Sequence, residues 1–271
     1  MAKTNTKEVS LYGGTEKITF YPDSHRYKKN DKWLKSVTGA LDVINKPHLI
    51  FWAVNLACDH ISEILSSGKN VLVSDIEEAR HKHQDRLKEA GDLGTAVHKW
   101  AEDYIKGNNP DLPEDDRVLN GVTGFLQWVE EHKVKFVSSE RLVYSKKYNF
   151  VGHMDAEAII DGKLCVIDFK TSKKPKCQKC KGGKKLKTGG IQTELFAPLC
   201  KHKVVYPEWL FQTAAYQKAA QEEGTVYTGP RRIVRFDKEN GGFEVYTARK
   251  IQGDWYAFLG ALAISKRKSE L

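Results

Sequence analysis

The 271-residue sequence predicts an α/β or α+β fold around one mixed sheet. Apolar residues recur at helical spacing through the first half, and strand-like runs joined by short turns begin near Phe136. A helical pattern then returns at Pro207 with further strands beyond it. Consecutive strands joined by tight turns are antiparallel, whereas a strand reached through a helix must cross over, so both pairings are expected in one sheet.

In chain order, Lys17–Tyr21 and Tyr27–Leu34 read as a hairpin, with turn chemistry at Pro22-Asp23-Ser24 and Lys29-Asn30-Asp31. Ser36-Val37-Thr38 leads into helical spacing at Leu41 and Ile44. After Lys46-Pro47 the spacing continues at Leu49, Trp52, Leu56, Ile61 and Ile64, until Ser67–Asn70 breaks it. Asp75–Ala90 reads as a charged, exposed helix. Gly94-Thr95 opens a separate one through Val97, Trp100 and Tyr104 that stops at Gly107–Pro110. A helix over Val118–His132 presents Val122, Phe125, Leu126 and Val129 on its apolar face. Arg141–Ser145, Phe150–Ile160 and Lys163–Phe169 are three strands of a meander. Pro207 starts a helix running to Gln221 and closed by Gly224. Arg231–Phe236 and Gly242–Thr247 are a last strand pair, and Asp254–Ser265 a C-terminal helix. The organisation is a helical N-terminal part (1–135), a core (136–250) with a basic insertion (173–206), and a C-terminal helix (251–271).

Hydrophobic residues are 40% and charged residues 29%, enough apolar mass for a core. No uninterrupted apolar run nears the roughly 18 residues of a membrane span, so a membrane is not an expected partner. The segment Met1–Ser10 has neither an apolar h-region nor an Arg-rich amphipathic face, so no export or import signal is expected there. The five cysteines are too few for a disulfide scaffold, and reduced thiols in the cytoplasm are the expectation. Cys58 and Cys165 sit in apolar patterns and read as core. The net charge of +9 is localised: ten lysines against Glu194 lie between Lys173 and Lys203, leaving the rest of the chain near neutral. Lys173, Lys174, Lys184, Lys185 and Lys187 would form the footprint of a polyanion partner. The alternative is a solvated lysine loop.

Asp155 and Asp168 stand in successive strands amid apolar residues, where an unpartnered carboxylate is costly. Strand alternation puts Asp168 and Lys170 on one face, with Ile167 and Phe169 on the other. Two carboxylates and a lysine at strand ends suit a hard divalent cation and charge stabilisation. A strand-end salt bridge with a separate turn acid is the alternative.

Gly152-His153-Met154-Asp155, Val166-Ile167-Asp168-Phe169-Lys170-Thr171-Ser172 and Gln212-Thr213-Ala214-Ala215-Tyr216 resemble, in order and spacing, the PD-(D/E)XK nucleases. They look closest to the RecB-like branch that includes Cas4 and single-strand exonucleases. Gly94–His98 resembles that branch's GxxxH element. Phe20–Tyr27, Ser36-Val37-Thr38 and Lys46-Pro47 with Trp52 look like the opening of phage-encoded members. The resemblance covers residues 18–222 and implies a restriction-endonuclease-like core. It implies Mg²⁺ or Mn²⁺ on His98, Asp155 and Asp168, with Lys170 orienting water or stabilising charge. Gln212 and Tyr216 would position the strand, Glu140 would be a further acid before the first strand, and Ser36 and Thr38 would contact DNA. Asp168 departs from the Glu of many relatives, but a shorter carboxylate still ligates. The implied activity is a metal-dependent exonuclease on single-stranded DNA or duplex ends, in the cytoplasm of a host if viral. Partner proteins for recombination or replication are unknown. The alternatives are a structure-selective or site-specific endonuclease, or a non-catalytic nucleic-acid-binding protein.

In the basic insertion, Cys177-Gln178-Lys179-Cys180, then Cys200-Lys201-His202, offer a tetrahedral Zn²⁺ set that would staple a hydrophilic segment. Four unrelated residues in a loop are the alternative. The iron–sulfur cluster of Cas4-type relatives needs three cysteines after the Gln-xxx-Tyr helix, and none follows Cys200, so it is not expected here.

Overall fold

The computed structural model describes residues 5–172, 186–188, 191–193 and 205–271. Cys177, Cys180, Cys200, His202, Lys173, Lys174, Lys184 and Lys185 lie outside the described residues. The chain opens with strands β1 (Lys7–Leu11), β2 (Glu16–Tyr21), β3 (Arg26–Lys29) and β4 (Lys32–Trp33), which form a four-stranded antiparallel meander in that order. The expected two-stranded hairpin is therefore only its centre. β1 escapes sequence reading because Val9 and Leu11 alone are apolar in it. Their packing with Ile18 and Tyr27, and pairing from Lys7–Phe20 to Leu11–Glu16, supply its stability.

After β5 (Lys35–Ser36) come helices α1 (Val37–Leu41), α2 (Pro47–Ser66), α3 (Val73–Ile105) and α4 (Asp116–Glu131). Ser36 caps α1, its Oγ accepting from Gly39 N at 3.0 Å. The break expected between Ala90 and Gly94 is absent: α3 is one helix of 33 residues. Gly91 and Gly94 keep helical backbone angles, and without a proline a glycine costs a helix only about 1 kcal/mol. The apolar spacing of α2 also misleads. It packs against α3, yet none of its described residues is buried; Phe51 is 71% exposed, and Cys58 is exposed rather than core. By length and composition, Leu49–Ser66 is also apolar enough to cross a membrane, despite Asp59 and Glu63.

The central sheet holds β6 (Lys135–Ser145), β7 (Phe150–Ile160) and β8 (Lys163–Thr171). Strands β9 (Leu186–Thr188) and β10 (Ile191–Thr193) form a separate antiparallel pair, with Lys187 on β9. Helix α5 (Pro207–Glu222) then crosses over to β11 (Arg231–Phe236), followed by β12 (Phe243–Ala248) and helix α6 (Ile251–Glu270). The order is β12-β11-β8-β7-β5, with β6 also on β7. β11 runs parallel to β8 and β5 parallel to β7; the rest are antiparallel, which makes the sheet mixed as expected. β6 begins six residues before Arg141, so Glu140 lies inside a strand and not ahead of it. The C-terminal helix is likewise longer than its apolar run, because its last turns are exposed.

α1, α5 and α6 cover one face of the sheet, with Phe150, Met154 and Val166 meeting Tyr216, Trp255 and Phe258. On the other face, α3 and α4 bury Val97, Val122, Phe125 and Trp128 against Ile167, Phe169 and Phe236. The meander covers Leu142, Tyr144 and Val151 beside them. A Cβ on Gly91 would meet nothing within 4 Å. Gly91→Ala should therefore raise the melting temperature by about 2 °C, through the usual cost of glycine in a helix interior. A lowered melting temperature in a thermal scan would mean the backbone breaks there after all.

Candidate active site

The site is set by a fork in the sheet. One edge of β7 carries β6 from Ser145–Phe150 to Lys135–Ile159. The other edge is shared: β8 holds residues 156–160, and β5 holds Phe150 and Val151. Between them β7 has no strand partner on that edge among the described residues, and this is where Gly152–Asp155 lies. Beyond the Ala156–Ile167 pair β8 parts from β7 and continues beside β11. Asp155 fills the opening, its Oδ2 accepting the Phe169 backbone N–H at 2.6 Å.

Within β6 and β7 the alternation of faces slips at this level. Met154 packs on the α5 face and His153 on the meander face, yet Ala156 and Ala158 join the α3–α4 core. Ordinary alternation would put Ala156 on the side of Met154. On β6, Glu140 stands at the matching position with φ +48°, a left-handed conformation uncommon for a residue other than glycine. The slip frees the side chains of Glu140 and Asp155 from both packed faces. Ligand atoms of His98, Glu140 and Asp155 then lie within 4.8 Å of one another, with His98 Nδ1 3.8 Å from Asp155 Oδ1. His98 is brought by the buried C-terminal third of α3, where Val97, Trp100 and Ala101 face the core.

Asp168 and Lys170 project from β8 toward α5. Lys170 Nζ lies 2.8 Å from Asp168 Oδ2 and donates to Gln212 Oε1 at 3.3 Å. Gln212 Nε2 in turn donates to Tyr216 Oη at 2.9 Å, the i to i+4 spacing placing both on one face of α5. Asp168 is fully buried, and among the described residues neither of its oxygens receives a well-aligned hydrogen bond. Burial raises its proton affinity and Asp155 adds to this, with Lys170 opposing. For Lys170, burial works against the charge, but the two aspartates outweigh it and hold the ammonium protonated. Burial, then Asp155 and Asp168, keep Tyr216 a neutral phenol. Glu140 is pushed up to about 8 by burial and then by Asp155.

Structure therefore brings together His98, Glu140, Asp155, Asp168, Lys170, Gln212 and Tyr216. Asp168 stays on the lysine side of the fork, outside the close trio. Ser36 serves as the α1 cap and Thr38 is exposed, their hydroxyls 3.5 Å apart. Sequence reading passed over His153, whose Nδ1 meets Tyr27 Oη at 2.9 Å; that hydroxyl also lies 3.1 Å from His25 Nε2. Burial lowers His153 to about 4, so this histidine is a neutral link between meander and sheet. The signal was its place two residues before Asp155.

No family model matches the chain. A stretch of 87 residues is 34% identical to mitochondrial genome maintenance exonuclease 1 of Homo sapiens. The match spans 31% of this chain and 24% of that protein, so the chain covers about a quarter of its relative's length.

Gly152 lets Tyr216 reach the fork, since a Cβ there would stand 2.6 Å from the Tyr216 ring and 3.0 Å from Val37. Gly152→Ala should destabilise the fold by roughly 1–3 kcal/mol, the cost of overpacking. Denaturant unfolding measures it, and an unchanged midpoint would mean the ring yields freely. Glu140 supplies a pH test. Its carboxyl binds a proton more tightly folded than unfolded, so metal-free protein should lose stability as pH rises from about 4.5 to about 8. Glu140→Gln should flatten that slope in urea melts at several pH values, and an unchanged slope would assign it to another group.

Proposed function

We propose that the protein is a metal-dependent DNA nuclease, acting as an exonuclease by hydrolysis of phosphodiester bonds. The observation that carries this reading is the convergence of His98, Glu140 and Asp155 at the mouth of the fork, beside the buried Asp168–Lys170 pair. The name of the human relative supports a nuclease independently of the geometry. Three carboxylates and one imidazole fit a hard divalent cation, and the raised proton affinities of the buried Asp168 and of Glu140 are what such a charge would relieve. His98, Glu140, Asp155 and Asp168 would hold Mg²⁺ or Mn²⁺, which when bound supplies Lewis acidity toward a phosphate and a more acidic water.

The protein groups then have separable tasks. Phe169 N–H fixes the rotamer of Asp155. Lys170 places a permanent positive charge where a phosphate loses its ester bond, and it is held there by Gln212. Tyr216 fixes Gln212. Asp168 keeps Lys170 charged despite its burial. The lysines of residues 173–203 would hold the DNA backbone without reading sequence, and Cys177, Cys180, Cys200 and His202 would bind a structural zinc.

Cleavage of an end-labelled oligonucleotide should require Mg²⁺ or Mn²⁺, fall sharply with Ca²⁺ and stop in EDTA. Lys170→Ala and Asp168→Ala should each lower turnover by about a hundredfold or more while binding survives. Appearance of mononucleotides first identifies an exonuclease, and internal fragments first an endonuclease. Full turnover in EDTA, or in either variant, would remove the proposed centre.

A further inference from the structure

Outside the fork, a groove of about 770 Å³ runs between the N-terminal meander and the end of α6. Arg26, Tyr27 and Trp33 line it from β3 and β4, Lys35 and Ser36 from β5, and Lys266 from α6. Its floor reaches the site through one hydrogen bond. Tyr27 Oη contacts His153 Nδ1, and His153 lies two residues before Asp155 on β7.

Three cations, Arg26, Lys35 and Lys266, line this groove with one carboxylate, Glu270. Elsewhere basic side chains are commonly neutralised, Lys29 and Lys146 by Glu16, and Arg117 by Glu89 and Asp115. Among the described residues, Arg26, Lys35 and Lys266 have no carboxylate within 4.0 Å. Lys35 donates to Ser269 Oγ at 3.0 Å and Lys266 to the Tyr148 carbonyl at 2.7 Å. Neutral oxygens thus orient both ammonium groups and leave their charge, and further N–H donors, for another partner. Glu270, the carboxylate that lines the groove, is engaged by Arg267 at 3.2 Å and also favours the charge of Lys266, so the groove keeps a net positive balance.

The second feature is aromatic. Trp33 is 45% exposed at the end of a two-residue strand. The Arg26 guanidinium lies 3.8 Å and the Lys28 ammonium 4.7 Å from its ring centroid, and the Tyr21 ring packs against the indole at 5.2 Å, so a base would meet the part of the ring left exposed. A stacked guanidinium uses only its face, so its in-plane N–H groups remain available to a phosphate. Cations spaced along a groove with an exposed indole among them suit a chain of phosphates carrying flat, unpaired bases. A duplex offers the phosphates but keeps its base faces stacked, and an acidic peptide offers carboxylates but no ring.

We propose that this groove binds a single-stranded nucleic-acid segment, with Arg26, Lys35 and Lys266 on its phosphates and a base against Trp33. The assignment rests on the nuclease reading for its purpose, since it would deliver a strand to Asp155. The test reads binding alone. Anisotropy of a fluorescein-labelled oligothymidylate is titrated with the full chain in EDTA at several salt concentrations. Trp33→Ala should weaken binding about tenfold, with Trp33→Phe restoring most of it, and neither should alter affinity for a blunt duplex. Lys35→Ala combined with Lys266→Ala should make the log–log salt dependence shallower by about 1.4, or 0.7 for each lost phosphate contact. Lys17→Ala, outside the groove, should match wild type. Wild-type binding in both the Trp33→Ala and the double-lysine proteins overturns the proposal, as does displacement of the oligonucleotide by polyglutamate at equal charge. If the expected binding pattern appears but wild type cuts nothing in Mg²⁺, the groove stands and the nuclease reading falls. If wild type cuts DNA and the groove variants bind it normally, the groove falls and the nuclease reading stands.

Discussion

The hydrogen bond from Phe169 N–H to the Asp155 carboxylate organises this molecule's site. β7 and β8 separate beyond Ala156 and Ile167, which would leave a backbone donor of β8 without its ladder partner. A buried N–H left unpaired costs about as much as a lost hydrogen bond, so the fork persists only because something fills it. Asp155 does so with one oxygen, leaving the other toward His98 and Glu140. The same contact thus closes the sheet's hydrogen bonding and aims the carboxylate.

Around that contact the structure holds more buried acid than its own cations balance. Lys170 answers Asp168, yet Glu140 and Asp155 face each other, with His98 Nδ1 3.8 Å from Asp155 Oδ1. The response is visible in Glu140, whose proton is held up to about pH 8; its left-handed backbone, which a strand residue seldom adopts, is a second cost at the same residue. Such strain and unfavourable electrostatics persist only when surrounding packing enforces them, here the three apolar clusters on the two faces of the sheet.

The helices divide their labour along the same line. The C-terminal third of α3 is packed on the sheet and carries His98, while its N-terminal part extends with α2 into solvent, presenting Phe51, Val54 and Val73. α5 contributes a rigid face on which Gln212 and Tyr216 stand one turn apart. Its alanines, Ala214, Ala215, Ala219 and Ala220, are fully buried, which brings that face close to the strands.

Much of this was legible in the residues. The meander of β6, β7 and β8, the crossover at α5 and the sides taken by Asp168 and Lys170 follow from periodicity and turn chemistry, which are local properties. The convergence of acids with His98 was legible only by resemblance, because the contributing elements are far apart in the chain. The errors have one cause. A continuous α3, an exposed α2 and the extra strand β1 are decided by what packs against each element, and an apolar spacing does not say whether a partner exists. Glu140 shows it most sharply. Its sequence neighbourhood reads as an approach to a strand, whereas its left-handed backbone and its place opposite Asp155 arise where β6 must match the slip in β7. Local chemistry determined which side chains this protein could bring to a site; the fork and the slip, which exist only between paired strands, decided which of them meet.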